Sequence, residues 1–177
     1  MGEHGGLSEN QNRVMVNDII ALFQPSCVML RPARETDLPA LAALDARCNP
    51  SAWTLRQFQA ACAAPHDRIL LIERDGAPAA FAVWQCVCGE AELHLIATAP
   101  EYRRQGLAAR LLAAVADDVA QCGGERILLE VRAGNVAAQA LYRAHGFTEL
   151  AVRPRYYQDG EDAVLMFQLT GTDKLSP

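Results

Sequence analysis

No stretch of this sequence stays apolar for the roughly 18 to 20 consecutive residues that a membrane-spanning helix requires. Its first residues, MGEHGGLSENQNR, also lack the apolar core of a secretory signal. A basic excess is missing too: 16 Lys and Arg face 21 Asp and Glu, a formal net charge of −5, which argues against a general nucleic-acid-binding surface. The expected location is therefore the cytoplasm, with neither membrane nor nucleic acid as a direct partner. Six cysteines, at 27, 48, 62, 86, 88 and 122, form no spaced framework. Cys86 and Cys88 are the one close pair, and on a single strand they would share a face. No His/Cys cluster completes a zinc set, so no metal is expected and the thiols read as free, buried or half-buried small hydrophobes. A GxGxxG fingerprint, a Walker loop, internal repeats and low-complexity tracts are all absent.

What is present is 177 residues, 51% hydrophobic and 21% charged, enough for one globular domain with a substantial core and too few for a second full one. Residues 1–13 are polar and glycine-rich and read as a flexible N-terminal extension, leaving 14–177 as a single domain. Asn17 to Phe23 suits a short turn of helix. A strand is expected at Val28 to Arg31, then a helix capped by Thr36 or Asp37 and running to about Arg47 with Leu38, Leu41 and Leu44 on one face. Thr54 and Gln57 form a capping box for a second helix to about Ala63. Strands Ile69 to Glu73 and Ala79 to Val87 flank the hairpin signal Asp75-Gly76, and Glu92 to Thr98 extends the meander. Gly106 to Gln121 is the longest helical pattern, with Leu107, Leu111, Val115 and Val119 at spacing four, stopped by Gly123-Gly124. Arg126 to Val131 follows as strand, Val136 to His145 as helix, and Phe147 to about Tyr157 and Asp162 to Leu169 as final strands. The order β-α-α-β-β-β-α-β-α-β-β describes a mixed α/β architecture.

Two features carry chemistry. Arg103-Arg104-Gln105-Gly106-Leu107-Ala108 runs from a strand end into the long helix, whose orphan amides and positive dipole end suit a pyrophosphate. A plain helix start with solvated arginines explains the same residues. One helix and one strand later, Glu130 stands in Leu128-Leu129-Glu130-Val131-Arg132, where a carboxylate is costly unless paired or functional. The bland alternative places Glu130 on a solvated face or beside Arg132 or Arg126.

The strings APEYRRQGLA, LLEVRAGNVAAQALYRAHGF and RYYQDGEDAVLMFQL resemble the GNAT N-acetyltransferases, and within them the RimI-type ribosomal-protein-alanine N-acetyltransferases. The likeness spans about Met29 to Leu169. It implies a twisted, largely antiparallel sheet of about seven strands flanked by about four helices, with a splayed strand pair that binds acetyl-CoA as co-substrate. It further implies cofactor contacts from the strand end Ile96, Ala97 and Thr98, from Arg104, Gln105, Gly106, Leu107, Ala108 and Ala109 in the turn, and from Asn135. Glu130 matches the family's proton acceptor and Tyr142 its proton donor. Leu95 stands where a polar residue, commonly asparagine, is frequent, and Ala108 replaces the commoner second glycine. The implied acceptor is a ribosomal protein N-terminal peptide, beginning with the alanine of small-subunit protein eighteen, and a monomer is favoured.

The chemistry agrees with those roles. An N-terminal amine with a reference pKa near 8 is roughly a tenth neutral at pH 7, whereas a lysine near 10.4 is neutral less than about 0.1% of the time. A modest base such as Glu130, acting through water, serves the former, and Tyr142 can supply a proton to the departing sulfur. Tyr142 as a plain packing aromatic is the alternative. Arg153, Tyr156, Tyr157, Glu161 and Asp162 are candidates for the acceptor groove, the acidic pair facing a basic peptide; the tyrosines packing the last hairpin is the other reading. Trp53 lines that groove or fills the core, and His94 is a candidate substrate contact. Acetylation of a lysine or small amine, and non-catalytic acyl-CoA sensing, are the competing functions.

Overall fold

The computed structural model describes residues 28–170, so the extension at 1–13, the helical turn at Asn17 to Phe23 and Cys27 lie outside the described residues. Seven strands form one sheet in the order β1-β2-β3-β4-β5-β7-β6. They are β1 (Val28–Pro32), β2 (Asp67–Arg74), β3 (Ala77–Val87), β4 (Glu90–Thr98), β5 (Arg126–Arg132), β6 (Thr148–Arg153) and β7 (Ala163–Leu169). Every pairing is antiparallel except β4 with β5. The described helices are α1 (Leu38–Cys48), α2 (Leu55–Ala63), α3 (Leu107–Gln121) and α4 (Val136–Ala144).

Local chemistry accounts for most of these boundaries. Asp75 and Gly76 both take positive φ, 53° and 82°, the pairing a tight hairpin between β2 and β3 demands. Thr54 and Gln57 close the capping box that starts α2. Asp37 stands at the N-cap of α1, one of the two positions expected, but its side chain makes no capping bond to that helix. Asp37 ends a 3-10 turn over Glu35–Asp37, accepts from the Arg34 amide at 2.7 Å, and takes both ends of the Arg31 guanidinium at 2.7 and 2.9 Å. The sixth strand also stops earlier than expected, at Arg153, because Pro154 has no N–H to continue the ladder and Arg155 turns to φ 51°. Cys88 is not on the strand with Cys86: β3 ends at Val87, and Cys88 and Gly89 make the turn with φ 50° and 82°. Cys88 and Cys122 are exposed, not buried as the composition suggested, while Cys48, Cys62 and Cys86 are half-buried free thiols.

Two apolar layers cover the sheet. Leu107, Leu111, Val115 and Val119 of α3 pack with Trp84, Leu93, Ile127, Leu129 and the Tyr142 ring of α4 on one face. On the other, Leu38, Leu41 and Leu44 of α1 and Phe58 of α2 pack on Leu71, Phe81, Val83 and Ala97. The alternation of β5 is strict, with Ile127, Leu129 and Val131 buried towards α3 and Leu128, Glu130 and Arg132 half-buried on the reverse.

Candidate active site

A bulge and a splay build the site. In the β3/β4 register Trp84 faces Leu93 and Val83 faces Leu95, so His94 is the extra residue and the strand bends there. The parallel pairing of β4 with β5 runs only from Glu90/Arg126 to Leu93/Leu129. Beyond it the strands diverge, and the β5-facing backbone edge of Leu95 to Thr98 has no strand partner among the described residues. Ile96 faces the α3 layer and Ala97 the α1/α2 layer. Thr98 places a buried hydroxyl there with no hydrogen-bond partner among the described residues, while its carbonyl accepts from Arg103 Nε at 3.3 Å and Cys48 Sγ at 3.4 Å.

The glycine turn lies at the mouth of this opening. Gly106 caps α3 with φ 77°, a left-handed conformation, and no side chain caps the helix. Arg104 shares the left-handed region at φ 61°, which the sequence did not foretell. The amides of Leu107, Ala108 and Ala109 head the helix without intrahelical acceptors. Arg103, Arg104, Gln105 and Gly106 are exposed, whereas the Leu107 side chain is buried and offers only its backbone. Gln105 is itself anchored, its Oε1 accepting from Arg74 at 2.6 Å. Asn135 caps α4, its Oδ1 accepting from the Ala138 amide at 3.1 Å.

Glu130 and Tyr142 stand on opposite faces of β5. Glu130 projects from the solvent side of the splayed end, 18% exposed, and pairs with Arg153 at 2.5 Å. The partner is therefore neither Arg132 nor Arg126, because register places Arg132, Ala163 and Arg153 in one row across β5, β7 and β6, next to the row of Glu130, Leu165 and Ala151. Tyr142 is buried beneath, its ring 5.7 Å from that of Phe147, and burial holds its hydroxyl above the usual tyrosine range. Burial likewise raises the Tyr157 hydroxyl above its usual range.

Two loops flank the site. In the loop after β6, Arg132 pairs with Asp159 and Glu161, each at 2.7 Å, and its guanidinium lies 4.0 Å from the Tyr157 ring centroid. Glu161 also accepts from the Gly134 amide at 2.8 Å, and Asp162 from the Arg155 amide at 2.7 Å. The acidic pair expected to meet a basic peptide is thus engaged inside the loop, and Arg132 with the Gly134 amide holds the Glu161 carboxyl below its usual range. Tyr156 and Tyr157 pack edge to face at 5.2 Å. In the loop between α1 and α2, Trp53 packs on the core residue Phe58, ring centroids 5.6 Å apart, and its ring also lies 5.9 Å from that of His94.

Sequence reasoning missed two supports. Asp45 is fully buried, accepts from the Trp53 amide at 2.7 Å and from Asn49, and its carboxyl is pushed up by burial. Gln139 is buried and donates to the carbonyls of Arg132 and Ala133 at 3.2 and 2.8 Å, locking the turn between β5 and α4. The available signal was a polar residue on an apolar helical stripe, Asp45 beside Leu41 and Leu44, and Gln139 one turn before Tyr142.

Residues 38–147 match the Acetyltransferase (GNAT) family. The chain belongs to that family. It is 40% identical over 134 residues to the ribosomal protein bS18-alanine N-acetyltransferase of Escherichia coli (strain K12), covering 74% of this chain and 90% of the relative. It is 33% identical over 140 residues to a Bacillus subtilis (strain 168) protein named putative bS18-alanine N-acetyltransferase, covering 78% and 93%. The crystal structure of the Escherichia coli ribosomal-protein-S18-alanine N-acetyltransferase superposes with a TM-score of 0.76 at 35% identity, over 85% of this chain and 99% of that one. The seven strands and four helices described above are the GNAT fold, and this GNAT protein is an N-acetyltransferase that takes acetyl-CoA as donor. No helix among the described residues is long and apolar enough to cross a membrane.

Proposed function

We infer that this acetyltransferase modifies the N-terminal α-amine of a protein, and that its acceptor is the N-terminal alanine of ribosomal protein bS18, the substrate its relatives' names specify. Glu130 is the general base and Tyr142 the general acid, within a catalytic domain spanning residues 14–177. The observation that carries the reading is Glu130 itself, a half-buried carboxylate on the strand end that diverges from β4.

The residues fit the donor. The unpaired edge of Ile96, Ala97 and Thr98 offers backbone groups to the pantetheine amides, and the Thr98 hydroxyl is a buried group in want of a partner. The turn from Arg104 through Gly106 to the amides of Leu107, Ala108 and Ala109 suits the pyrophosphate, and Asn135 keeps its side-chain N–H groups for the cofactor while its carbonyl caps α4. The amine nitrogen bonds to the thioester carbon, Glu130 receives the amine proton, directly or through one water, and the carbon–sulfur bond breaks. Full proton transfer from a buried tyrosine to a thiolate runs uphill, since the thiol is near 8.5 in reference and Tyr142 lies above its usual value near 10. Tyr142 therefore acts chiefly as a hydrogen-bond donor to the sulfur while charge develops; the thiolate departs and takes its proton from solvent, and the proton the amine gave to Glu130 returns to solvent, so the reaction balances.

The test is mass spectrometry of an alanine-starting bS18 peptide incubated with acetyl-CoA, beside an N-blocked twin that contains lysine. Acetylation at the α-nitrogen of the first alone is expected; turnover of only the blocked peptide refutes the acceptor assignment.

A further inference from the structure

Glu130 already holds a cation. Its Oε1 lies 2.5 Å from Nη1 of Arg153, and the nearby Glu130 carboxylate holds the Tyr156 phenol above its usual range. The Arg153 guanidinium sits 5.7 Å from the centroid of the Tyr156 ring. The two ends of the ion pair differ in depth: the Glu130 side chain is 18% exposed and that of Arg153 52%. A carboxylate at that depth needs a cation or donors beside it, whereas a guanidinium already half in water loses little by withdrawing. Arg132, next along β5, is its opposite. It is 18% exposed and fastened by Asp159, Glu161 and the Tyr157 ring, so one cation of the site is fixed and the other can leave.

An N-terminal amine reaches the enzyme at neutral pH about nine-tenths as ammonium, carrying the charge that Arg153 carries. Where it gives its proton to Glu130 directly, it comes to the carboxylate where Arg153 now lies. We propose that Arg153 holds the place on Glu130 that the acceptor's ammonium takes, so that acceptor binding exchanges one cation for another. This rests on reading Glu130 as the carboxylate that receives the amine. The acetylated product has a neutral amide at that nitrogen and does not displace Arg153, so it lacks the ion pair with Glu130 that the free amine makes. Peptides with blocked N-termini lack it in the same manner. Arg153 is thereby a positioning residue on Glu130 rather than a catalytic one.

Calorimetric titration in the presence of CoA tests the exchange, using an alanine-starting peptide and its N-acetylated counterpart against the wild-type enzyme, Arg153→Ala, Arg153→Gln and Arg153→Lys. Removing the competing cation should tighten the free-amine peptide roughly two- to fivefold in the Ala and Gln variants, the scale of an exposed ion pair. The acetylated peptide and acetyl-CoA should bind as to wild type, the acceptor KM should fall, and Lys should restore wild-type values. Equal changes for both peptides, or weaker binding of the amine, overturn the proposal. Glu130→Gln separates this from the base assignment: it should erase the effect of the Arg153 variants on amine binding. Full turnover by Glu130→Gln refutes the base role alone, while the persistence of that effect refutes the exchange.

Discussion

The Arg132 guanidinium donates to the Ser51 hydroxyl at 3.3 Å, joining residues 81 positions apart. Ser51 belongs to the loop between α1 and α2, and the same guanidinium holds Asp159 and Glu161 of the loop between β6 and β7. One side chain at the end of β5 thus sets the spacing of the two loops that flank Glu130. Arg132→Lys keeps the charge but not the planar fork that reaches several acceptors at once. The expected result is an acceptor KM raised about tenfold, equivalent to ~1.4 kcal/mol, with acetyl-CoA affinity unchanged, as steady-state kinetics with each substrate varied would report.

Glu130→Gln and Tyr142→Phe should each lower kcat by about a hundredfold or more, the usual scale for a positioned acid or base. Acetyl-CoA affinity should stay near wild type in both, because neither side chain belongs to the turn at Gly106. Should both variants retain full turnover with the bS18 peptide, the role assignments are wrong.

Burial of Tyr142 also has a consequence for stability. Its neutral form is favoured in the folded chain, so between the unfolded value near 10 and its higher folded value the native state binds more protons than the unfolded state. Stability is fully present below about pH 10 and declines as pH rises above it. Denaturant melts between pH 8 and 11 should show that decline, flattened in Tyr142→Phe.

Asp37 gives the mirror case in acid. The Arg31 guanidinium beside it, and next the Arg34 amide, lower its carboxyl to about 2 from 3.8. A depressed carboxyl stabilises above its unfolded value, and the gain is lost as pH falls from about 4 through about 2. Asp37→Asn should reduce stability at pH 7 by about 1–2 kcal/mol and leave it nearly unchanged at pH 2. Urea titrations at the two pH values would separate these outcomes.

Gly106→Ala isolates the turn. A Cβ there meets nothing within 4 Å, so its cost is the left-handed φ of 77° alone. That cost is about 1–2 kcal/mol. It should appear as a five- to thirtyfold weaker acetyl-CoA affinity if the variant relaxes the turn, with acceptor binding unaffected. Isothermal titration with acetyl-CoA reads it directly.

The elements that the sequence made legible are those whose cause lies within a few residues. Asp75-Gly76 could only be a tight turn, the Thr54/Gln57 box could only start a helix, and the spacing of Leu107, Leu111, Val115 and Val119 needed no partner to be read. The partner of Glu130 was not legible, because Arg153 reaches it only through the register of β5 on β7 and β7 on β6. Asp45 and Gln139 were passed over because each satisfies backbone groups of a loop whose path appears only on folding.

By itself the sequence determined the order of strands and helices, the glycine at the head of α3 and the family strings that hold Glu130, Asn135 and Tyr142, since periodicity and turn chemistry act locally. Tertiary structure alone decided that β4 and β5 part beyond Leu93 and Leu129, that Tyr142 is buried on the face opposite Glu130, and that one arginine is fastened while the other rests on the carboxylate. Those outcomes depend on bulge, register and depth of burial, which arise between segments far apart in the chain.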